Sequence, residues 1–96
     1  MPVYVQLITW TEQGASAAKD TVQRSQRARA QAEKLGIRFR EIVWTMGRYD
    51  AVAIFEAPND ETASRFSLGV GALGFARTET LRGYSEAEIS KIVEGL

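Results

Sequence analysis

The 96-residue chain is predicted to form one α+β domain over residues 1–96, of the ferredoxin-like βαββαβ type with a four-stranded antiparallel sheet and a short C-terminal helix. Three observations predict this fold. Several short stretches show the two-residue side-chain alternation of β-strands. Two longer stretches place apolar residues three or four positions apart, as on one face of a helix. Residues typical of turns separate these stretches. The length is sufficient for a modest core and for one domain.

The composition narrows the classes of function. An apolar fraction of 45% and a charged fraction of 25% are typical of an ordinary globular chain. Lys+Arg and Asp+Glu both number 12, so no net charge favours nucleic acid or an anionic membrane, and neither partner is expected. Cysteine and histidine are absent, which removes the ligands and nucleophiles that most metal, haem and thiol chemistry uses. We therefore expect no metal and no cofactor.

The start of the chain leads directly into a strand pattern, with neither the basic region nor the cleavage site of a signal peptide. A cytoplasmic location is the expectation. The charges are uneven along the chain: cations dominate residues 19–40 and acids dominate from residue 56 onward. A solvated basic helix and a solvated acidic tail explain this pattern, and charge complementarity between subunits is the alternative.

The first strand is predicted over residues 3–10, and both of its faces carry bulky side chains. Residues 11–14 are predicted to form a turn. A long helix follows, with Thr21 as the candidate N-cap, residues 15–20 as a looser preceding turn and Gly36 as the residue that ends it.

The central hairpin is predicted from strands at residues 37–45 and 49–57. Gly47 is the expected turn residue, because a two-residue hairpin loop needs a positive φ angle, which glycine adopts without steric cost. The turn has Trp44 on one side and Tyr49 and Asp50 on the other.

Asn59 is predicted to cap a second helix that runs to about Leu73, and residues 75–84 form the fourth predicted strand. Ser85 and Glu88 have the spacing of a capping box at the start of the last helix.

Two helices can cover only one face of this sheet, so the other face is expected to be open. Large residues that the pattern assigns to the open face, or that crowd both faces, are Tyr4, Ile8, Trp10, Ile42, Trp44 and Phe55. Exposed apolar surface of this kind is typical of interfaces. We therefore expect a homo-oligomer whose sheets pack face to face.

The central motif contains Gly47, Tyr49 and Asp50, a Gly-x-Tyr-Asp signature. Together with the opening strand, the Ala-Glu-Lys-Leu-Gly at residues 32–36 and the Arg-Thr-Glu-Thr-Leu-Arg at residues 77–82, it resembles the GYD-domain family of small prokaryotic proteins. The resemblance covers nearly the whole chain and implies a ferredoxin-like fold related to the dimeric α+β-barrel proteins. It implies no settled activity.

Residues 69–74 spell Gly-x-Gly-x-x-Gly, but the run closes a predicted helix and leads into a strand. A dinucleotide site requires the reverse order, so we reject that interpretation in favour of close packing at the helix end.

Candidate ligand-binding residues are Trp10, Trp44, Tyr49, Asp50, Arg77 and Glu79. Tyr49 and Asp50 are neighbours in a predicted strand and would point to opposite faces, which disfavours a proton-transfer pair. The favoured interpretation is that Tyr49 packs at the hairpin base and Asp50 accepts hydrogen bonds from the turn. Arg77 and Glu79 share one face of the last strand. An outward-facing, interface or structural role is favoured for them over a buried ion pair in a site.

Three classes of function fit these observations. The first is an oligomeric protein without catalysis that binds a small ligand between sheet and helices or between subunits. The second is a cofactor-independent oxygenase or isomerase of the dimeric α+β-barrel type, against which the absence of histidine counts. The third is a ligand-sensing regulatory domain. A deep apolar pocket lined by Trp10, Trp44, Tyr49 or Arg77 would favour the second class, and a filled interior would favour the first.

Overall fold

The computed structural model describes residues 1–96 and confirms the α+β ferredoxin-like fold. In chain order the elements are β1 (Val3–Trp10), α1 (Glu12–Ser16), α2 (Thr21–Lys34), β2 (Arg38–Trp44), β3 (Ala51–Glu56), α3 (Asp60–Ala72), β4 (Ala76–Gly83) and α4 (Glu86–Val93). A 3₁₀ turn at Ala18–Asp20 precedes the long helix α2. Neighbouring strands are antiparallel throughout, in the order β2-β3-β1-β4.

The predicted helix boundaries that rest on capping chemistry are confirmed. The Thr62 backbone N–H donates to Asn59 Oδ1 at 2.8 Å, which caps α3. Ser85 and Glu88 form the reciprocal capping box of α4. Gly36 follows α2 with a φ of +79°, the left-handed conformation that ends helices.

The segment before α2 is more ordered than predicted. Residues 11–14 are not a turn: Thr11 caps the short helix α1, and its Oγ1 accepts from the Gly14 backbone N–H at 3.2 Å. A Cβ at Gly14 would lie 1.9 Å from the Phe75 carbonyl oxygen, so only glycine fits there. The prediction that Thr21 caps α2 was wrong: Thr21 is the first residue of the helix, and Asp20 occupies the N-cap position.

The central hairpin has a six-residue loop, residues 45–50, in place of the predicted two-residue turn. Gly47 has the predicted positive φ, at +108°. The Thr45 backbone N–H donates to the Asp50 carbonyl oxygen at 2.9 Å and Thr45 Oγ1 donates to the Tyr49 carbonyl oxygen at 2.6 Å, which closes the loop. The Asp50 N–H donates to the Ile8 carbonyl oxygen at 2.8 Å, so the loop is fixed to β1.

The prediction of which residues occupy the open sheet face was wrong. All six large residues assigned to it lie on the face that packs against α2 and α3. The side chains alternate along β1, and Gln6 on the helix side is bonded to Ser67 of α3, which fixes the assignment. The open face is apolar through other, smaller residues: Val3, Val5, Leu7, Val43, Val52, Ile54 and Leu81.

The core between sheet and helices is built on four aromatic rings, Tyr4, Phe39, Phe55 and Phe66, whose neighbouring centroids lie 5.5–5.7 Å apart. The Tyr4 hydroxyl donates to Asp60 Oδ1 at 2.5 Å. Burial, followed by this hydrogen bond, raises the pKa of Tyr4 to about 12.

None of the four helices has the length and apolar character needed to cross a membrane.

Candidate functional site

A cavity of about 620 Å³ lies between the sheet and the helices α2 and α3. Its floor is formed by Ile8, Ala51 and Ala53, and its walls by large side chains from strands and helices. The wall residues are Trp10, Phe39, Ile42, Trp44, Phe66, Val70, Leu73 and Phe75. The lining is predominantly apolar, with polar groups towards the helices.

Small residues explain why this part of the layer is hollow. Ala51 and Ala53 occupy the first two of the three helix-facing positions of β3, and Phe55 occupies the third. Gly69 of α3 borders the cavity, and a Cβ at this position would meet no atom within 4 Å. Close-packed interiors leave few voids larger than a water molecule, so a space of this size is a specific feature of the fold.

The two tryptophans of the chain both line the cavity. Trp10 is the last residue of β1 and Trp44 the last of β2. The Trp44 Nε1–H donates to Thr21 Oγ1 at 3.0 Å, which joins the end of β2 to the start of α2 across this end of the layer. The structure thus places these two predicted residues in one site.

Tyr49 and Asp50 do not line the cavity. Both belong to the 45–50 loop, so the predicted strand geometry does not apply to them. Asp50 Oδ2 accepts from the Trp10 backbone N–H at 2.8 Å, a bond to β1 and not to the turn as predicted. The Arg48 guanidinium lies 5.4 Å from the centre of the Tyr49 ring. Asp50 therefore positions Trp10, and Tyr49 packs within the loop.

Arg77 and Glu79 lie on the opposite side of the sheet from the cavity. Arg77 pairs with Thr9 and Glu79 with Leu7 in the β1–β4 register, and both side chains are exposed on the open face. The favoured outward orientation is the one observed, and these two residues are separate from Trp10 and Trp44.

A chain of polar groups spans the layer beside the cavity. The buried Gln6 lines the cavity and its Nε2 donates to Ser67 Oγ at 3.2 Å, which in turn bonds Thr80 Oγ1 at 2.9 Å. Buried polar groups need such partners, and every buried side-chain nitrogen and oxygen of the protein has one.

The charged groups of the lining are all cations: Arg24, Arg27, Lys34 and Arg65. Three of them come from α2, where they follow one another at helical spacing. The lining contains no Asp, Glu or Tyr, and the chain has no His or Cys.

The sequence did not predict the residues that α2 and α3 contribute to this cavity, Gly69 among them. Two signals point to them in retrospect. The first signal is in β3, where the helix-facing positions 51 and 53 are alanines and the next one is Phe55. The second is in α3, where a glycine at residue 69 interrupts the apolar face of the helix. Small residues at facing positions of two layers indicate a space between them.

Comparison with protein families matches residues 4–93 of the chain to the GYD domain. Comparison with curated proteins and with solved structures gives no match.

Proposed function

The chain belongs to the GYD domain family, and we propose that it binds a small, mainly apolar molecule in the cavity between its sheet and helices. The observation that carries the proposal is the cavity itself, which two tryptophans and the β3 alanines enclose. Small-molecule sites are concave, mostly apolar, and about 300–1,000 Å³ in volume, a range that includes this one.

Contacts at the last residues of β1 and β2 support a pre-formed site. The bond from Trp10 N–H to Asp50 and the bond from Trp44 Nε1–H to Thr21 hold the aromatic walls in place. A ligand would therefore enter a site whose walls are already ordered, which lowers the entropy cost of binding.

Catalysis by a cofactor-independent oxygenase or isomerase mechanism is the second candidate, favoured by the apolar cavity with Trp10 and Trp44 in its wall. The cavity offers an apolar surface for such a reaction, but its lining has no carboxylate, imidazole or phenol to act as a general base. Binding requires only the groups present, so it is the function that we place first. Oxygen consumption with phenolic compounds, measured on wild type and on a cavity-blocked variant, tests the second candidate.

The first experiment titrates the protein with N-phenyl-1-naphthylamine, an uncharged apolar fluorophore. Both tryptophans line the cavity, so binding should quench their emission while the probe's emission rises. The blocked variant is Gly69→Leu, whose side chain would extend from α3 into open space at the cavity wall. We expect this variant to lose binding while remaining folded, because replacing a helix-interior glycine stabilises by about 0.5–1 kcal/mol.

Gly71→Leu is the matched control. Gly71 belongs to the same helix and also has open space around it, but it does not line the cavity. It should therefore change stability as Gly69→Leu does and leave the titration unchanged. Equal binding by Gly69→Leu and wild type would contradict the proposal.

We also propose that two copies associate through the open sheet face. Its central rows place Val5 between Ile54 and Leu81, and Leu7 next to Val52, which leaves a band of partly exposed apolar side chains on one surface. Arg77 and Glu79 at the margin of this band would supply polar contacts. Native mass spectrometry of freshly purified protein should show a dimer or higher oligomer, and a stable monomer would contradict association.

A further inference from the structure

We propose that the ligand of the cavity is an amphipathic anion, with an apolar body inside and a carboxylate or similar group held at the mouth by cations of α2. This inference rests on the proposed function, since it specifies the ligand class of the same cavity. It depends on how charge is arranged around the opening.

The cavity lining carries four cations and no anion, although the chain as a whole has 12 of each sign. The ion pairs within 4.0 Å are Arg40–Glu56, Arg65–Glu61 and Arg82–Glu88. Arg65 is thus already paired, whereas the three α2 cations of the lining have no carboxylate partner. Their charge is free to attract an anion.

Arg24, Arg27 and Lys34 lie along one side of α2. They are separated by three and seven residues, spacings that return to the same side of a helix, and Gln31 lies between them at the same edge. Ala28, next to this row, packs against the aromatic core. The apolar interior and the row of cations therefore meet along α2, at the boundary that an amphipathic molecule would span.

Arg24 is the most constrained of the three. Its Nη1 donates to the Ala17 carbonyl oxygen at 2.6 Å and its Nη2 to the Gly14 carbonyl oxygen at 3.4 Å. Its guanidinium carbon lies 4.9 Å from the centre of the Phe75 ring. These partners are neutral, so they orient the guanidinium without cancelling its charge, and the guanidinium has further N–H donors to offer.

Arg27 and Lys34 are exposed and have no hydrogen bond or ion pair to another side chain. Asp20 lines an adjoining depression of about 200 Å³ with Arg24 and Arg27, but it forms no ion pair with either. Two exposed cations beside one that is oriented by hydrogen bonds suit an anionic group that enters from solvent. A guanidinium recognises a carboxylate through paired hydrogen bonds, which favours a carboxylate in this position.

The test compares two probes with similar aromatic bodies: 1-anilinonaphthalene-8-sulfonate, which is anionic, and N-phenyl-1-naphthylamine, which is neutral. Both are titrated into wild type and into the double variant Arg27→Gln/Lys34→Gln. Each exposed cation contributes about 1.4- to 5-fold, so removing both should lower the affinity for the anionic probe roughly 2- to 25-fold. The affinity of the neutral probe should change by less than about twofold.

The charge-matched control is Lys19→Gln/Arg38→Gln. Both residues are exposed cations, neither lines the cavity, and the net charge changes by the same amount. It should leave the affinity for both probes close to that of wild type. Raising the salt concentration should weaken binding of the anionic probe to wild type, and should weaken it less in Arg27→Gln/Lys34→Gln, because two of the screened charges are then absent.

Equal losses for the anionic probe in the two double variants would overturn this inference, since only net charge would then matter. Binding of both probes that is insensitive to Arg27→Gln/Lys34→Gln would also overturn it and leave the cavity as a site for neutral ligands. Failure of wild type to bind either probe would overturn the proposed function itself.

Discussion

The two ends of the layer between sheet and helices differ in how they are filled. At the end near Tyr4, four aromatic rings pack against alanines of α2 and α3, and Phe55 is fully buried. At the end near Trp10, the same strands and helices enclose a cavity of about 620 Å³. The backbone framework continues through both ends, and side-chain volume distinguishes them.

Under the proposed function, this difference divides the interior of the domain between stability and binding. The filled end supplies the apolar burial that holds the fold together. The hollow end gives up packing at Ala51, Ala53 and Gly69 and keeps its shape through hydrogen bonds at its margins. If the two ends have these separate roles, substitutions at the filled end should mainly lower stability, and substitutions at the hollow end should also weaken ligand binding.

The largest effect is expected from Phe55→Ala at the filled end. It would remove a ring that contacts three other aromatic rings, so the free energy of unfolding should fall by about 3–5 kcal/mol. Ile42→Ala, at the wall of the cavity, should cost less than half as much because its side chain is already half-exposed and borders empty space. Urea unfolding of both variants measures the difference. Equal losses would contradict the division into two ends.

The next effect is a pH dependence that the filled end alone should show. The pKa of Tyr4 is raised to about 12 in the folded protein, against about 10 in the unfolded chain. The folded state therefore keeps a proton that the unfolded state releases, and the unfolding free energy should fall as the pH rises from about 10 to about 12, by at most about 2–3 kcal/mol. The measurement is the difference in unfolding free energy between wild type and Tyr4→Phe, followed across this pH range.

Tyr49 and Tyr84 are present in both of these proteins, so their contributions cancel in the difference. If the difference in unfolding free energy stays constant from about pH 10 to about pH 12, Tyr4 has an ordinary pKa. That result would contradict tight packing around Tyr4 at the filled end.

A smaller effect is expected at the margin of the hollow end. Asp50→Ala removes the acceptor for the Trp10 backbone N–H and should lower the unfolding free energy by about 1–2 kcal/mol. It should also weaken probe binding, because Trp10 would no longer be fixed at the cavity wall. Asp50→Asn keeps an acceptor oxygen and should retain most of both properties. Identical behaviour of the two variants in unfolding and in probe titration would argue against this positioning role.

Local signals in the sequence predicted most of the fold. Asn59, Ser85 and Gly36 mark helix ends through their own backbone and side-chain chemistry, and the structure confirms all three. The hairpin loop was predicted too short because Asp50 is bonded to β1, a contact between distant residues that delays the start of β3 to Ala51.

The orientation of the sheet could not be predicted from periodicity, because β1 carries bulky residues on both faces. Trp10 and Trp44 were identified as candidates, but the cavity between them arises from small residues on separate elements, such as Ala53 and Gly69, which meet only in the folded protein. Asp50 was a candidate as well, but it does not line the cavity, and its carboxylate accepts a hydrogen bond from the Trp10 backbone N–H.

The most direct measurement of the central claim follows the two indole N–H signals by ¹H–¹⁵N NMR during titration with N-phenyl-1-naphthylamine. We expect the signals of Trp10 and Trp44 to shift together and saturate, while the backbone amide signals of Tyr4 and Phe55 stay in place. Unchanged indole signals, or shifts confined to the open-face residue Leu81 and its neighbours, would contradict the claim that the hollow end is the binding site.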